Sequence, residues 1–192
     1  KGWTLNAIAG ILGNMQSESY INPGVWQSLI AGNYSGGFGL VQWTPATNYT
    51  NWATANGYGI TDPNGQLYWI DELSASTGQW IPTGAYNMSW NAFKTSGESP
   101  EHLASTFLKN FERAGVEVES TRRTQARYYY NLLSQYDANS KAIESAVQWA
   151  IGIANDNSHG YDQSNRWGPD YDCSSLLITA WQQAGIKVKD AG

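Results

Sequence analysis

Leu5, Ile8, Ile11, Leu12 and Met15 recur at three- and four-residue steps, the spacing of one face of an α-helix, with Thr4 placed to cap it and Asn22-Pro23-Gly24 to end it. Residues 31–65 are rich in Gly, Pro, Asn and Thr, and the run Phe38 to Trp43 is the clear strand candidate among them, so a small β-hairpin is expected there. Leu67, Ile70 and Leu73 predict a second helix. Ser99-Pro100 reads as a cap and first turn for a third helix carrying Leu103, Phe107 and Phe111. Ala126, Tyr129, Tyr130, Leu133 and Tyr136 predict a fourth. Asp137-Ala138-Asn139-Ser140 then breaks the pattern before a new helix with Ile143, Val147, Ala150 and Ala154. A Gly/Asn/Asp loop follows from Asn155 to Asp172, and a last short helix, Cys173 to Ala184, is closed by Gly185. The fold expected is mainly α, of the α+β kind, with one domain over residues 1–137 and the start of a second over 138–192.

Composition narrows what such a chain can do. Its 192 residues are 41% hydrophobic, enough for a real core, yet only 14% are charged, against about 25% in a typical domain. Eleven Lys and Arg against 16 Asp and Glu leave a net charge of −5, without the basic footprint of a nucleic-acid binder. No apolar run approaches the roughly 20 residues that span a bilayer, so no membrane partner is expected. One Cys and two His cannot build an ordinary zinc site, and no metal or cofactor is expected. Ten Trp and 12 Tyr among many Asn, Gln and Ser suit a neutral polysaccharide, whose CH faces stack on aromatic rings, although aromatic side chains also fill cores.

The sharpest chemical signal is Glu18. Ile8, Ile11, Met15 and Glu18 keep to one line of the first helix, which puts a carboxylate on the buried stripe at the C-terminal end. Partial burial and the negative end of the helix dipole both disfavour ionisation there, as a general acid in glycosidic cleavage requires. A capping or snorkelling glutamate is the plain alternative.

Gly13-Asn14-Met15-Gln16-Ser17-Glu18-Ser19, then Asn22-Pro23, then Gly37-Phe38-Gly39-Leu40-Val41-Gln42-Trp43-Thr44 resemble, in that order, the phage tail lysozyme family. The resemblance extends over roughly residues 1–136, including Phe107 to Arg113, and its layout is shared with goose-type lysozymes and lytic transglycosylases. It implies a catalytic Glu18 facing a substrate cleft to which Phe38, Gln42, Trp43 and Glu112 contribute. It also implies peptidoglycan as substrate, tail proteins as partners, and a virion tail acting on the bacterial wall from outside. A lytic transglycosylase using the same glutamate, or a non-catalytic wall-binding or structural tail module, are the alternatives. Residues 19–43 hold no Asp or Glu, which leaves Asp62, Asp71, Glu72 and Glu112 as sources of a second carboxylate; for Glu112, pairing with Arg113 is the plain reading.

In the second domain, Tyr171-Asp172-Cys173-Ser174-Ser175-Leu176 puts a cysteine in the first turn of a helix, where unpaired N–H groups favour a thiolate. With Trp167-Gly168-Pro169-Asp170 before it, this phrase resembles papain-like cell-wall amidases and endopeptidases, which implies that Cys173 is a nucleophile. The family's histidine base follows its cysteine, whereas here His159 and His102 both precede Cys173. The peptidase segment is therefore expected to be incomplete and inactive in this chain. The Lys1 start and the Lys189-Asp190-Ala191-Gly192 end are expected to belong to a longer protein.

Overall fold

The computed structural model describes residues 2–113 and 118–188; Lys1 and Lys189 to Gly192 lie outside the described residues. The chain is mainly helical and divides into two compact units, Lys1–Leu132 and Leu133–Gly192.

In the first unit, α1 (Leu5–Ser19) starts where Thr4 Oγ1 accepts from the Ala7 N–H at 3.2 Å. Its buried line is Ala7, Ile11 and Met15 with Asn14, and Ile8, expected on that line, is 37% exposed. α2 (Thr47–Ala55) lies in the region expected to be loop and hairpin; its Thr and Asn content hid a helical face of Tyr49, Thr50 and Ala53. α3 (Pro63–Tyr68) is capped by Asp62 and runs into a widened π turn, Trp69–Leu73. α4 (Trp90–Lys94) is followed by α5 (Pro100–Phe107), capped by Ser99 as expected, and by a second π turn, Leu108–Glu112.

Phe38 to Trp43 is not a strand among the described residues. Phe38 and Trp43 make a single antiparallel bridge, with N–H to carbonyl distances of 3.2 and 3.0 Å. Between them Gly39 and Gln42 take left-handed φ values of 80° and 47°, which stop a ladder from forming. The core under this turn is strongly aromatic. Trp43 stacks on Tyr49 with ring centres 4.6 Å apart and meets Trp69 edge-on, while Trp80, Trp90, Phe93 and Phe107 form a second cluster. Buried Trp thus accounts for much of the composition that suggested sugar binding.

α6 (Glu119–Asn155) runs without a break through Asp137 to Ser140. Asp and Asn cost a helix interior only about 0.7 kcal/mol each relative to Ala, and an Asp137–Lys141 pair at 2.7 Å favours the helix across the segment. In the second unit, α7 (Cys173–Gln183) begins at Asp172, whose side chain accepts from Ser175 N while Ser175 Oγ accepts from Asp172 N, and Gly185 follows its end.

α1 and the first turns of α6 meet backbone to backbone at Gly13. A Cβ there would lie 2.5 Å from the Arg122 carbonyl oxygen and 2.7 Å from the Ala126 nitrogen, both backbone atoms of α6. Around this contact Ser17 Oγ donates to Gln125 Oε1 and the Tyr129 hydroxyl donates to Gln16 Oε1, each at 2.7 Å. Gly13→Ala is expected to push the two helices apart at a cost of about 1–3 kcal/mol, read as a lower midpoint in urea unfolding; an unchanged midpoint would contradict this packing.

Candidate functional site

A cavity of about 500 Å³ opens in the first unit, and Glu18, Trp26, Gln27, Gln42, Thr44 and Glu112 are among its lining residues. Three elements deliver the carboxyls and their counter-charge. Glu18 is on the last turn of α1, half-buried, and Glu112 is the final residue of the second π turn. That turn is closed by Arg113, whose N–H reaches the Leu108 carbonyl at 2.8 Å with a left-handed φ of 49°. Arg122 comes from α6 and is 6% exposed.

Arg122 Nη2 donates to Glu18 Oε1, and its Nη1 donates to Asn14 Oδ1 at 3.2 Å. Asn14 is itself fully buried and held by two donations from its amide, to Gly10 O at 2.9 Å and to Ala104 O at 3.0 Å. Asn14 therefore fixes the guanidinium, and the guanidinium fixes Glu18. The sequence reading weighed burial and the helix end at Glu18 and did not contain this cation, which lies beside a carboxylate 104 residues away.

Glu112 has no such partner. The Arg113 guanidinium, expected to pair with it, instead donates to the Gln79 and Asn110 carbonyls. Although the residue as a whole is half-buried, Glu112 Oε1 is sealed from solvent and has no hydrogen-bond partner among the described residues. Burial first, and then the Glu18 charge, push the Glu112 carboxyl well above the usual glutamate range, and the charges of Arg122 and Arg113 only partly oppose them. The site therefore holds, in one cavity, Glu18 clamped by an arginine and Glu112 with its carboxyl pushed toward the neutral form.

The rest of the lining is held by amides. Gln42 Nε2 donates to Val25 O at 3.1 Å and to Gly39 O at 3.0 Å, so this cavity residue clips two loop segments together. Gln66, buried under the same loops, accepts from Leu40 N at 2.8 Å and donates to Pro23 O at 2.7 Å and Ile60 O at 2.9 Å. Gln27 Oε1 accepts from Gly37 N at 2.8 Å. Ser28 and Leu29, also on the cavity wall, hold left-handed φ of 55° and 58°, and Leu29 is 86% exposed.

Two residues implied for the cleft are elsewhere. Trp43 is 2% exposed and Phe38 fully buried, both in the core beneath the loop, because the bridge between them turns their rings onto Tyr49, Trp69 and Trp26. Trp26, which was not singled out, is the tryptophan on the cavity wall. Of the other acids considered, Asp62 caps α3, and Asp71 accepts from the Trp3 indole at 2.9 Å and from Lys94 at 3.1 Å. Arg122 and Asn14 escaped sequence reasoning. The helical line Ala126, Tyr129, Leu133, extended back one turn, lands on Arg122, a charge on an apolar stripe like Glu18.

In the second unit, exposed Cys173 occupies the first position of α7 and lines a cavity of about 370 Å³ together with His159, Tyr161 and Tyr171. The His159 ring is engaged through Nδ1 with the Pro169 carbonyl, and its Nε2 is 3.8 Å from Asp156. His102 is on α5 in the first unit. No cluster of metal-ligating side chains occurs among the described residues, and no described helix is long and apolar enough to cross a membrane.

A neutral buried carboxyl costs the folded chain stability as pH rises. Below about pH 4 Glu112 is protonated whether the chain is folded or not. Above that the unfolded chain gives up the proton and the folded chain keeps it, so stability falls until pH passes the raised folded value. Glu112→Gln, which stays neutral, is expected to melt roughly 2–4 °C above the unmodified chain at about pH 7 for each kcal/mol removed, with the difference vanishing near pH 4. Equal melting temperatures at both pH values would contradict a buried neutral Glu112.

Comparison with known proteins covers mainly this first unit. The family model described as phage tail lysozyme matches residues 1–133. Morphogenesis protein 1 of Bacillus phage B103 is 48% identical over 134 residues, 70% of this chain and 36% of that relative, so the chain spans about a third of its length.

Proposed function

From its membership of the phage tail lysozyme family, we propose that this chain is a virion component that cleaves the glycan strands of bacterial peptidoglycan, with Glu18 as the catalytic carboxyl. The observation that carries this reading is the placement of Glu18 and Glu112 in one cavity, with Arg122 on the first and no hydrogen-bond partner for Oε1 of the second among the described residues. Glycoside cleavage needs one transferable proton and one negative charge close together, and this pair supplies both. The glycosidic C–O bond breaks with its electron pair left on the departing oxygen, which takes the proton. Water then adds its hydroxyl at the sugar carbon and returns a proton to the carboxyl pair.

Trp26 and the Gln27 and Thr44 side chains offer the stacking face and neutral hydrogen-bonding groups that a sugar chain requires. Gln42 contributes by holding the cavity wall, since both of its amide hydrogens are spent on carbonyls. The enzyme is proposed to act from the phage tail on the outer face of the wall, alongside other tail proteins. For residues 138–192 we propose part of a papain-like peptidase fold, with Cys173 in the nucleophile's place and no peptidase activity in this chain, because the family's histidine base follows its cysteine whereas His102 and His159 both precede Cys173.

Glu18→Gln keeps the shape of the side chain and removes its proton, so glycan release from purified cell wall should fall at least about 100-fold, the scale of general acid catalysis, with circular dichroism unchanged. Wild-type release by the folded variant would refute the assignment. Mass spectrometry of the released sugars is expected to show one added water per cut; anhydro ends in its place would identify a transglycosylase using the same glutamate.

A further inference from the structure

Outside the cavity, three aromatic side chains of the first unit gather at one place and keep part of their surface in solvent. α2 carries Trp52, and Gly57 after it, with a left-handed φ of 76°, turns the chain back so that Tyr58 N donates to the Ala53 carbonyl at 2.9 Å. α3 carries Tyr68 at its end. The Trp52 ring centre is 5.4 Å from that of Tyr58 and 5.8 Å from that of Tyr68, with planes 19° and 10° apart, and the two tyrosine rings are 6.4 Å apart at 27°. Gly65 makes room for the group, because a Cβ there would meet the Tyr58 ring at 2.9 Å. Trp43, Trp69, Trp80 and Trp90 are sealed in the core, whereas Trp52 and Tyr58 are half-buried and Tyr68 is 42% exposed.

These rings continue the cavity wall. Thr44 lines the cavity, and Asn48, exposed near the start of α2, donates from Nδ2 to the Thr44 carbonyl at 3.2 Å. Trp52 follows Asn48 by one helical turn, about 6 Å along the same face of α2. Asn64, also exposed, stands in the same relation to Tyr68 on α3. Both helices thus set a neutral amide one turn before a ring. No Asp, Glu, Lys, Arg or His occurs between Glu18 and Asp62, so the segment that leads from the cavity to Tyr58 carries no charge. Such a surface offers an anionic polymer no cationic partner. It suits a sugar chain, whose CH faces stack on rings and whose hydroxyls pair with amides.

We propose that Trp52, Tyr58 and Tyr68 form a second glycan-binding platform, reached from the cavity past Thr44 and Asn48, which holds the part of a strand that lies beyond the cleavage point. The proposal depends on the glycan-cleaving reading above and extends it. A cavity of about 500 Å³ takes in a short stretch of a polymeric strand, and the platform gives the next stretch a neutral stacking surface. Binding energy from this distant part favours capture of long strands, while an oligosaccharide confined to the cavity gains nothing from it.

The experiment measures kcat/KM of the full 192-residue chain on long glycan strands freed of their peptides and on short oligosaccharides cut from the same strands. Wild type, Tyr68→Ala, Tyr68→Phe and Trp52→Ala are compared. The ratio of the long-strand value to the short-substrate value should fall about tenfold in both alanine variants, the scale of one aromatic contact, with the loss carried by KM. Tyr68→Phe keeps the ring and should keep the ratio near wild type. A ratio unmoved in Tyr68→Ala, or a fall of equal size on long and short substrates, would overturn the proposal and leave the rings as packing. Should Trp52→Ala not fold, Tyr68→Ala decides alone, since its side chain is exposed. Cosedimentation with the same strands, and Glu18→Gln run alongside, keep the two readings apart. Strands bound by wild type and released by Tyr68→Ala support the platform even where Glu18→Gln still cleaves, a result that refutes only the parent reading. An inactive Glu18→Gln beside a Tyr68→Ala that binds and cleaves long strands as wild type does refutes only the platform.

Discussion

The site depends on one buried ion pair, Arg122 on Glu18, and that pair depends on a glycine. Without a side chain at position 13 the backbone of α6 lies against α1, and the guanidinium reaches the last turn of α1. Taking both charges out of water is expensive, and their mutual attraction offsets the cost only when the remaining hydrogen-bonding groups are satisfied. Asn14 satisfies Nη1 of the guanidinium with its side-chain oxygen while its amide ties α1 to itself and to α5, and Arg122 Nε is left without a partner among the described residues. Three helices are thereby fixed by one polar cluster, and Glu112, arriving on a π turn with no hydrogen-bond partner for its Oε1 among the described residues, takes its character from burial first and then from the Glu18 charge.

Around this centre the chain builds its cavity wall with neutral groups. Gln27, Gln42 and Gln66 clip together loops that carry almost no regular structure, and Ser19 Oγ adds a bond to the Leu40 carbonyl at 3.0 Å. Amides serve here because each offers both donors and an acceptor without an added charge that would disturb the carboxyl pair. The low charged fraction of the sequence thus has a structural source besides any affinity for sugars. Beneath the loops, Trp43, Trp69, Trp80 and Trp90 are buried in the core of the unit, while Ser28, Leu29 and Gln42 on the cavity wall take left-handed conformations.

What could be read from the sequence was whatever a single element expresses by itself. Thr4 and Ser99-Pro100 mark helix starts through local hydrogen bonding, and Glu18 stands out because a carboxylate interrupts an apolar stripe. What could not be read belongs to pairs of elements. Arg122 looks like one of two adjacent arginines at a helix start, and only its contact with α1 makes it part of the site. α2 was hidden because Thr and Asn are as frequent in loops as in short capped helices. Trp43 was assigned to the cleft from its place in a motif, and the left-handed Gln42 before it turns the ring inward. Asp137 to Ser140 resembles a break by composition, yet the propensity cost is small against the rest of a 37-residue helix.

The most direct test of this account is the titration of Glu112 itself, followed through the carboxyl carbon-13 resonance of a chain labelled at its glutamate side chains and assigned by comparison with Glu112→Gln. The account predicts a Glu112 signal that stays in the protonated position well after the exposed glutamates have ionised, and that moves to still higher pH when Arg122 is replaced by glutamine. A Glu112 resonance that titrates with the exposed glutamates, indifferent to Arg122, would contradict it.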